Sequence, residues 1–397
     1  MPLGHLHDDG DRPSARPGPL AGVLVADFSR ILAGPYLTML LGDLGADVVK
    51  VERPDGGDDA RQWGPPWDAE GRSTYFLAVN RNKRSIALDL RDEGDLELAR
   101  RLALRADVLV ENFRPGTMAK FGLDHPSLAE GNPGLVYCSI SGFGAGAGAD
   151  LQGYDLLVQA VGGLMSVTGP DPSTPTKAGV ALVDVLTGLH GAVGVLAALR
   201  ERESSGRGQL VTLNLLGTLL SALVNHASGY LLAGVVPRAM GNRHPSVAPY
   251  EVLRAQDRPL AVAVGNDRQF AALCRALERP ELSSDPRFAT NPGRVENRAL
   301  LAEELETSLR SRPAAAWIGA LAPLGIPCGP INDVAEAIAL ADSLGLNPVV
   351  ELPRPGAVPD RAIADPITFA ASPVAYRGAA PALGEHSEQL RSWLEDP

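Results

Sequence analysis

The stretch AGVLVADFSRILAGPYLTMLLGDLGADVVKVERP, residues 21–54, sets the fold of the chain. Its first apolar run, residues 23–27, has the length of a buried strand, and residues 34–44 have the apolar spacing of a helix. Residues 47–51 are a valine-rich run that favours a second strand. A strand, a helix and a strand in this order predict a parallel pair joined by a crossover helix.

The same alternation continues outward along the first half of the chain. Further strands are predicted at residues 85–89, 107–110 and 135–139, and a helix is predicted at residues 93–105. This order predicts an α/β fold with a parallel sheet that is covered by helices on both faces. A ligand crevice in such a sheet lies at the carboxyl ends of the strands, so functional side chains should follow the strands directly.

The second half of the chain has a different pattern. Residues 179–183 predict a short strand, residues 185–200 a long helix, and residues 213–232 another helix. Asn214, Asn225 and His226 in this most apolar stretch favour a buried helix over a membrane span. Beyond it, a strand is predicted at residues 260–264 and helices at residues 268–277 and 298–309. After residue 326, one more helix is predicted before proline-rich extended segments.

Composition argues against several classes of function. The 397 residues include 36 Lys and Arg against 47 Asp and Glu, and the net charge of −11 argues against nucleic-acid binding. Cys138, Cys274 and Cys328 are odd in number and far apart, which favours a reducing cytoplasm without a disulfide framework. The 7 histidines lack the spacing of metal ligands. We therefore predict a cytoplasmic protein with no metal site and no nucleic-acid or membrane partner.

Most familiar catalytic motifs are missing from the sequence. No predicted strand leads through GxGxxG into a helix, and GxxxxGK[ST], HExxH, GxSxG and CxxC are absent. The glycine-rich run at residues 142–148 follows a strand, but no helix follows it. A flexible loop is therefore favoured over a phosphate-binding loop there.

Asp184 lies where the predicted strand at residues 179–183 meets the next helix. In the simpler interpretation it caps the helix by accepting a backbone N–H bond. In the other interpretation the helix start keeps the carboxylate ionised and directs it into the crevice, where a carboxylate can act as a covalent nucleophile. Spacing alone favours the cap.

Three basic residues follow predicted strands on the expected ligand side. Arg53 and Arg91 come directly after strands, and Lys120 lies one turn after residues 111–116. Each alone could be ordinary surface charge. Together they suggest an anion site for a phosphorylated ligand.

Several short motifs, in a fixed order between about residues 19 and 390, resemble those of the class III CoA-transferases, the CaiB/BaiF group. This family includes formyl-CoA transferase, carnitine CoA-transferase and α-methylacyl-CoA racemase. Each motif is weak alone, and together they are highly specific. They are Ala33-Gly-Pro35, Leu44-Gly-Ala-Asp-Val-Val-Lys-Val-Glu-Arg-Pro54, Asn82-Lys-Arg-Ser-Ile86, Glu111-Asn-Phe-Arg-Pro-Gly116, Gly153-Tyr-Asp155, Val183-Asp-Val-Leu-Thr-Gly188, Gly206-Arg-Gly-Gln209, Gly325-Ile-Pro-Cys-Gly-Pro330 and Gly384-Glu-His386.

The resemblance implies roles for residues and an architecture. Asp184 falls on the family's nucleophile, and the residues that fall on coenzyme A contacts are Leu32, Ala33, Arg53, Leu88, Arg91, Asn112, Phe113, Lys120 and Tyr154. A Rossmann-like large domain with a smaller inserted α+β domain, in an interlocked homodimer, is expected. The expected division is a flexible leader at 1–19, the large domain at 20–210, a linker helix at 211–235, the small domain at 236–325 and a return to the large domain at 326–397.

The resemblance also implies a reaction, in which CoA moves from an acyl-CoA to a carboxylate through anhydride and aspartyl-CoA thioester intermediates on Asp184. A racemase of the same family would need an acid–base pair, and it carries histidine where this chain has Tyr154, a weak acid of ordinary pKa about 10. A non-catalytic CoA-binding protein is the other alternative, but it would not need an intact Asp184.

Substrate identity is predicted from further stretches of the same resemblance. Residues 57–66, 73–76, 80–83 and 169–170 look like the dicarboxylate enzymes that exchange CoA between succinyl-CoA and glutarate. Leu32 stands where formyl-CoA transferase has a glutamine, which argues against oxalate. The distal carboxylate of a dicarboxylate would need a cation, and the candidates are Arg30, Arg61, Arg243 and His244.

Overall fold

A six-stranded parallel sheet, in the order β3-β2-β1-β4-β5-β6, forms the centre of the fold. The computed structural model describes residues 18–396, so most of the predicted leader lies outside the described residues. This strand order is that of a Rossmann-like sheet, and the α/β prediction is confirmed. The strands are β1 Leu24–Asp27, β2 Asp47–Glu52, β3 Lys83–Ala87, β4 Val108–Glu111, β5 Val136–Ser141 and β6 Leu210–Asn214, followed along the chain by β7 Tyr250–Arg254, β8 Pro259–Ala263, β9 Cys328–Pro330, β10 Val349–Leu352 and β11 Asp360–Ile363.

Helices lie before, between and after these strands. They are α1 Ala33–Asp43, α2 Thr74–Leu77, α3 Glu93–Arg105, α4 Thr117–Lys120, α5 His125–Leu128, α6 Asp155–Val161, α7 Leu164–Val167, α8 Leu182–Ser205, α9 Leu215–Ala222, α10 Val224–Ala233, α11 Asp267–Ala276, α12 Asn291–Glu296, α13 Arg298–Leu309, α14 Ala314–Leu321, α15 Val334–Ser343 and α16 Ser387–Glu395. Short 3-10 turns occur at Asp59–Gln62, Pro280–Ser283 and Ala322–Leu324.

Alternate residues of the central strands face two separate apolar cores. On one face, Val25 and Val48 pack with Leu37 of α1 and Val195 of α8. On the other face, residues such as Val49 and Leu109 pack with side chains of α3 and α16. A strand that is buried on both faces has apolar residues at nearly every position, which explains why these strands could be predicted from the sequence.

The C-terminal segment covers the exposed edge of this sheet. The amide of Ser85 in edge strand β3 donates to His386 Nδ1 at 3.3 Å, and the amide of Ala87 donates to Ser387 Oγ at 3.0 Å. Leu390 and Leu394 of α16 are fully buried against the sheet. The edge strand is therefore paired, which removes a template for aggregation.

The chain divides into two compact units. The first contains the described residues up to Gly163, together with Ala178–Leu232 and the chain from Asn347 onward. The second contains Leu164–Lys177 and Ala233–Leu346, with the antiparallel sheet β7-β8-β9 and its own apolar core. The sequence placed the return to the large domain at residue 326. The structure keeps 326–346 with the second unit because Cys328–Pro330 pairs with β8.

Three predicted elements differ in the structure. Residues 179–181 form no strand, because β6 occupies the position beside β5 and Leu182 already begins α8. Residues 213–232 are the end of β6 followed by α9 and α10, so the single buried helix predicted there is wrong; α10 has no buried residue. The C-terminal part contains two helices, α15 and α16, where one was predicted.

Among the described residues, one helix is long and apolar enough to cross a membrane by length and composition alone. It is α8, whose apolar window has a mean hydropathy of 1.8 and is 44% buried. Helices α9 and α10 would meet the same criterion only as one span, and they are bent by 80° at their junction. Core helices also meet this criterion, and α8 packs against α1 in one of the two apolar cores.

Candidate active site

A cavity of about 590 Å³ opens at the carboxyl ends of β1 to β4. Its wall is built from residues that follow these strands, which is where a parallel sheet binds ligands. Several of the predicted CoA contacts line the cavity, namely Arg53, Leu88, Arg91 and Phe113. Leu32, Ala33, Asn112, Lys120 and Tyr154 are not among its lining residues.

Carboxylates pair with the arginines of the cavity wall. Asp59 bridges two of them, since its Oδ1 lies 2.6 Å from Arg53 Nη2 and its Oδ2 lies 3.1 Å from Arg30 Nη1. Arg91 pairs with Asp89 at 2.9 Å, and its side chain is 83% exposed. A guanidinium has five N–H donors, so these arginines can accept an anionic group while they remain paired.

A buried ion pair supports the turn that precedes α1. Lys50 Nζ lies 2.9 Å from Asp58 Oδ2, and neither side chain has exposed surface. Asp58 also accepts the amide of Ile31 at 3.1 Å, while Ile31 has a φ of 71°. Burial opposes ionisation of Asp58, but the Lys50 ammonium and the amides of Ala60 and Ile31 together outweigh it and lower the pKa of this carboxyl. The charged pair thus holds a left-handed backbone conformation that is costly for a β-branched residue.

Asn112 fastens the same turn from the other side. Its Oδ1 accepts the amide of Arg30 at 2.8 Å, and its Nδ2 donates to the Arg30 carbonyl at 2.8 Å. Both ends of the Asn112 amide are therefore bound to backbone. These two hydrogen bonds fix the conformation of the turn that leads into Leu32 and Ala33.

Helix α8 approaches the start of α1 very closely at Gly188. A Cβ on Gly188 would lie 2.7 Å from the carbonyl oxygen of Ala33, so only glycine allows this contact. Asp184 is one turn earlier in α8, and residues four apart share a face of a helix. The carboxylate of Asp184 is therefore presented on the side of α8 that faces the beginning of α1.

Asp184 is the third residue of α8 and does not cap it. The N-cap residue is Ala181, and the amide of Val183 is satisfied by Asp155 Oδ1 at 2.8 Å. Burial, followed by the nearby Asp155 carboxylate, raises the pKa of Asp184 to about 7. The interpretation of Asp184 as the N-cap is therefore wrong. Burial and a like charge oppose ionisation and raise the pKa of Asp184, an effect opposite to the one expected from the helix start.

Tyr75 of α2 is a further polar group near this carboxylate. Burial, followed by the charges of Asp184 and Asp155, raises the pKa of Tyr75 to about 12. Its ring also packs edge-on against Trp63, with the ring centres 5.2 Å apart. Tyr75 is therefore a neutral phenol that can donate a hydrogen bond near Asp184.

The remaining residues predicted to bind CoA or the distal carboxylate occupy varied positions. Lys120 is exposed at the end of α4, and Tyr154 is 57% exposed before α6. Arg61 is committed to Glu52 through two hydrogen bonds of 2.7 Å and stacks on Phe76, so it serves the structure of the first unit. In the second unit, Arg243 pairs with Glu251 at 3.3 Å. His244 Nδ1 accepts the amide of Ser246 at 3.1 Å.

The comparisons with known proteins give the family. The sequence profile described as CoA-transferase family III matches residues 20–387, which is nearly the whole chain. The chain belongs to CoA-transferase family III. It is therefore an enzyme of the CoA-transferase type, as the resemblance of the short motifs predicted.

Relatives of this family III CoA-transferase are similar over almost their full length. A succinate–glutarate CoA-transferase of Agrobacterium fabrum is 41% identical over 97% of this chain and 98% of its own length. An acetyl-CoA:oxalate CoA-transferase of Acetobacter aceti is 41% identical over 85% of this chain and 87% of its own. A solved structure of a CaiB/BaiF family protein from Brucella suis matches with a TM-score of 0.86 and 42% identity, covering 96% of this chain and 100% of that chain.

Sequence reasoning missed three site residues of this CoA-transferase. Asp155 lies in the quoted motif Gly153-Tyr-Asp155, and Tyr75 lies in the quoted stretch at residues 73–76, but neither was given a role. Asp58 lies in the stretch at residues 57–66, but no role was predicted for it. Its buried ion pair with Lys50 indicates that it supports the turn before α1. Within residues 18–396, no group of three or more His, Cys, Asp or Glu side chains could hold a metal ion.

Proposed function

We propose that this enzyme transfers CoA from succinyl-CoA to a dicarboxylate and uses Asp184 as the covalent nucleophile. The observation that carries the proposal is the setting of Asp184, a partly buried carboxylate at the start of α8 on the face that meets α1. Among the described residues, no cation or hydrogen-bond donor pairs with its side chain, so its oxygens are available to attack a carbonyl carbon.

The reaction proceeds in four acyl exchanges. The Asp184 carboxylate attacks the thioester carbonyl of the donor, forming a mixed anhydride and releasing the CoA thiolate. The thiolate then attacks the aspartyl carbonyl, which gives an aspartyl-CoA thioester and frees the donor acid. The acceptor carboxylate attacks this thioester and releases the thiolate again. The thiolate finally attacks the acceptor carbonyl of the second anhydride, which yields the new acyl-CoA and restores Asp184.

Residues around Asp184 support these steps. Helix α1 begins at Ala33 without a side-chain cap, so the amides of Ala33 and Gly34 can stabilise an oxyanion on a tetrahedral intermediate. Tyr75 can donate a hydrogen bond from its neutral phenol. Exclusion of water matters because water would hydrolyse each anhydride.

CoA is bound, in this proposal, by Leu32, Ala33, Arg53, Leu88, Arg91, Asn112, Phe113, Lys120 and Tyr154. The cavity beside β1 to β4 supports this assignment because its wall combines arginines for phosphate groups with Leu88 and Phe113 for a flat apolar group. Asn112 contributes by fixing the turn at Arg30.

The acid substrates are proposed from the relatives. The Agrobacterium relative is named for succinate and glutarate, which supports a dicarboxylate acceptor. The Acetobacter relative is named for oxalate, so oxalate belongs among the acceptors tested although Leu32 argues against it. Succinate, glutarate, malate, itaconate and hydroxymethylglutarate complete the set.

We further propose that the enzyme is an interlocked homodimer of the cytoplasm. Apolar side chains near the end of α10 support a covered surface, since Leu231 and Leu232 are strongly exposed in the single chain. Cys138, Cys274 and Cys328 are all free thiols, which suits a reducing compartment.

The central test compares Asp184→Ala with Asp150→Asn, a change at an exposed aspartate of the same unit. Acyl-CoA donors and carboxylate acceptors are combined as a matrix, and the products are measured by mass spectrometry. We expect Asp184→Ala to lose transfer while it still binds CoA, and Asp150→Asn to retain transfer. Hydroxylamine added during turnover of the unmodified enzyme should label the peptide that contains Asp184.

Two results would contradict the proposal. One is near-normal CoA transfer by Asp184→Ala. The other is an enzyme that exchanges no CoA in any combination but destroys the stereochemistry of a 2-methylacyl-CoA, which would support racemase activity.

A further inference from the structure

Two side chains of α6 bind the backbone that leads to Asp184. Asp155 Oδ1 accepts the amide of Val183 at 2.8 Å, and Asp155 Oδ2 accepts Gln159 Nε2 at 2.6 Å. Gln159 Oε1 accepts the amide of Ala178 at 2.8 Å, and its Nε2 also lies 3.5 Å from the carbonyl of Val180. Asp155 and Gln159 are four residues apart, so they form one continuous contact from a single face of α6.

These contacts replace a cap that α8 does not have. The first amides of a helix lack partners within the helix, and the N-cap residue Ala181 has no side chain that could accept from them. Residues 178–181 form no strand or helix of their own. Gln159 is fully buried, so its hydrogen bonds are protected from water. The position of the first turn of α8 therefore depends on α6.

Because Asp155 Oδ1 lies 2.8 Å from the amide nitrogen of Val183, the residue before Asp184, it also brings a second carboxylate close to Asp184. After the larger effect of burial, this like charge raises the pKa of Asp184. Few other charges face this carboxylate. Tyr75 on α2, Tyr36 on α1 and Cys138 on β5 all have raised pKa values and are neutral near pH 7. Tyr137, the other titratable residue of β5, packs in the core on the opposite face of the sheet. Asp43 at the far end of α1 is paired with Arg81, and β6 and α9 carry no titratable side chain.

We propose that Asp155 is a positioning residue for the nucleophile: together with Gln159 it holds the first turn of α8, and it places its own charge beside the Asp184 carboxylate. The inference rests on the proposed function of Asp184. The two effects are separable because the hydrogen bond to Val183 needs only an acceptor oxygen, whereas the electrostatic effect needs the negative charge.

Asp155→Asn tests the charge. Asparagine keeps an acceptor for the amide of Val183, although its NH2 group replaces the oxygen that accepts Gln159 Nε2. It is neutral, so the pKa of Asp184 should fall toward its ordinary value, and the pH profile measures this effect. The nucleophile must be ionised to attack, so kcat/KM of the unmodified enzyme should rise with pH through about 7 and level off above it. In Asp155→Asn this ascending limb should move to lower pH.

Gln159→Leu tests the hydrogen bonds. It removes the contacts to the backbone at Ala178 and Val180 but keeps the charge of Asp155. We expect kcat to fall about two- to tenfold, the loss that corresponds to one or more hydrogen bonds, with the acyl-CoA KM little changed and the ascending limb in its original place. Asp155→Ala should show both effects, a lower kcat and an ascending limb of kcat/KM that lies at lower pH.

The matched control is Asp92→Asn, the same substitution at an aspartate that caps α3 in the same unit. It should leave both kcat and the pH profile unchanged. Thermal unfolding and CoA binding are measured for every variant. If Asp155→Asn does not fold, Asp155→Ser, which also keeps an acceptor and removes the charge, takes its place.

An ascending limb in Asp155→Asn that coincides with that of the unmodified enzyme overturns the role of the charge. A Gln159→Leu enzyme with unchanged kcat overturns the role of the contact. Asp184→Ala is assayed in parallel. If it retains CoA transfer, the proposed nucleophile itself is wrong. If it is inactive and the ascending limb of Asp155→Asn is unshifted, only the present inference is refuted.

Discussion

At Gly188 the absence of a side chain determines how close two helices can come. A Cβ there would lie 2.7 Å from the Ala33 carbonyl oxygen and 3.0 Å from Tyr36 Cδ1. The backbone oxygen cannot move without displacing the start of α1. The same contact sets the distance between Asp184, the proposed nucleophile on α8, and the first turn of α1. A side chain at position 188 should therefore affect both stability and the proposed catalysis.

Gly188→Ala should therefore destabilise the protein by about 1–3 kcal/mol, the usual effect of overpacking, and lower kcat. Gly319→Ala in α14 is the matched control, because a Cβ at Gly319 would meet nothing within 4 Å. That variant should unfold at the same temperature or slightly higher, since alanine favours helix over glycine. Urea unfolding and kcat measure the two effects, and equal stability of both variants would contradict the close contact.

Among the elements, α16 illustrates how a distant part of the chain completes the central sheet. Its apolar face packs Leu390 and Leu394 into one core, while His386 just before it and its first residue, Ser387, bind the edge of β3. The helix belongs to the first unit although the whole of the second unit precedes it in the sequence. Stability of the sheet should therefore depend on the last residues of the chain.

Leu390→Ala should lower the free energy of unfolding by about 2–5 kcal/mol, because Leu390 is fully buried. Ser392→Ala, at an exposed position of the same helix, should change it by no more than about 0.5 kcal/mol. Chemical denaturation of both variants gives the comparison. If Leu390→Ala matched the unmodified enzyme, the docking of α16 would be wrong.

The elements also differ in how well sequence predicts them. Strands β1, β2, β4 and β5 are short apolar runs between polar turns, and α3 begins directly after the capping residue Asp92, so local patterns suffice. Residues 179–183 are equally apolar but form no strand. A short apolar run cannot reveal whether a neighbouring strand position is free, and here β6 fills it.

The candidate site was predictable only in part, for the same reason. The motifs of the family resemblance include Asp184 and the arginines of the cavity, and the profile of family III confirms the family. The contact of Asp155 with Val183 joins residues 28 positions apart through a backbone amide. Any residue except proline would offer the same amide at position 183, so no pattern of side chains in the sequence predicts this hydrogen bond.

For the whole molecule, the exposed apolar side chains of α10 imply a partner surface. Leu232 is 88% exposed and Leu231 is 77% exposed, which is unusual for two consecutive leucines. Burying one leucine side chain is worth about 1.5–3 kcal/mol, so a second copy that covers this surface gains substantial free energy.

The enzyme should therefore have twice the chain mass of 41.6 kDa in light scattering. If the two chains are interlocked, differently tagged dimers that are mixed should not exchange subunits over hours. The same mixture should form mixed dimers after it is unfolded and refolded together, which is the control. A monomeric mass would refute the dimer, and rapid exchange without unfolding would refute the interlock.

The hydrogen bond between Ala87 and Ser387 joins residues 300 positions apart. A ribosome adds about 5–20 residues per second, so β3 is finished ~15–60 s before the segment that covers it emerges. During that interval its unpaired amides and carbonyls are open to other nascent chains. We therefore expect slow translation or a shortage of chaperones to lower the yield of this enzyme without any loss of stability in the finished protein.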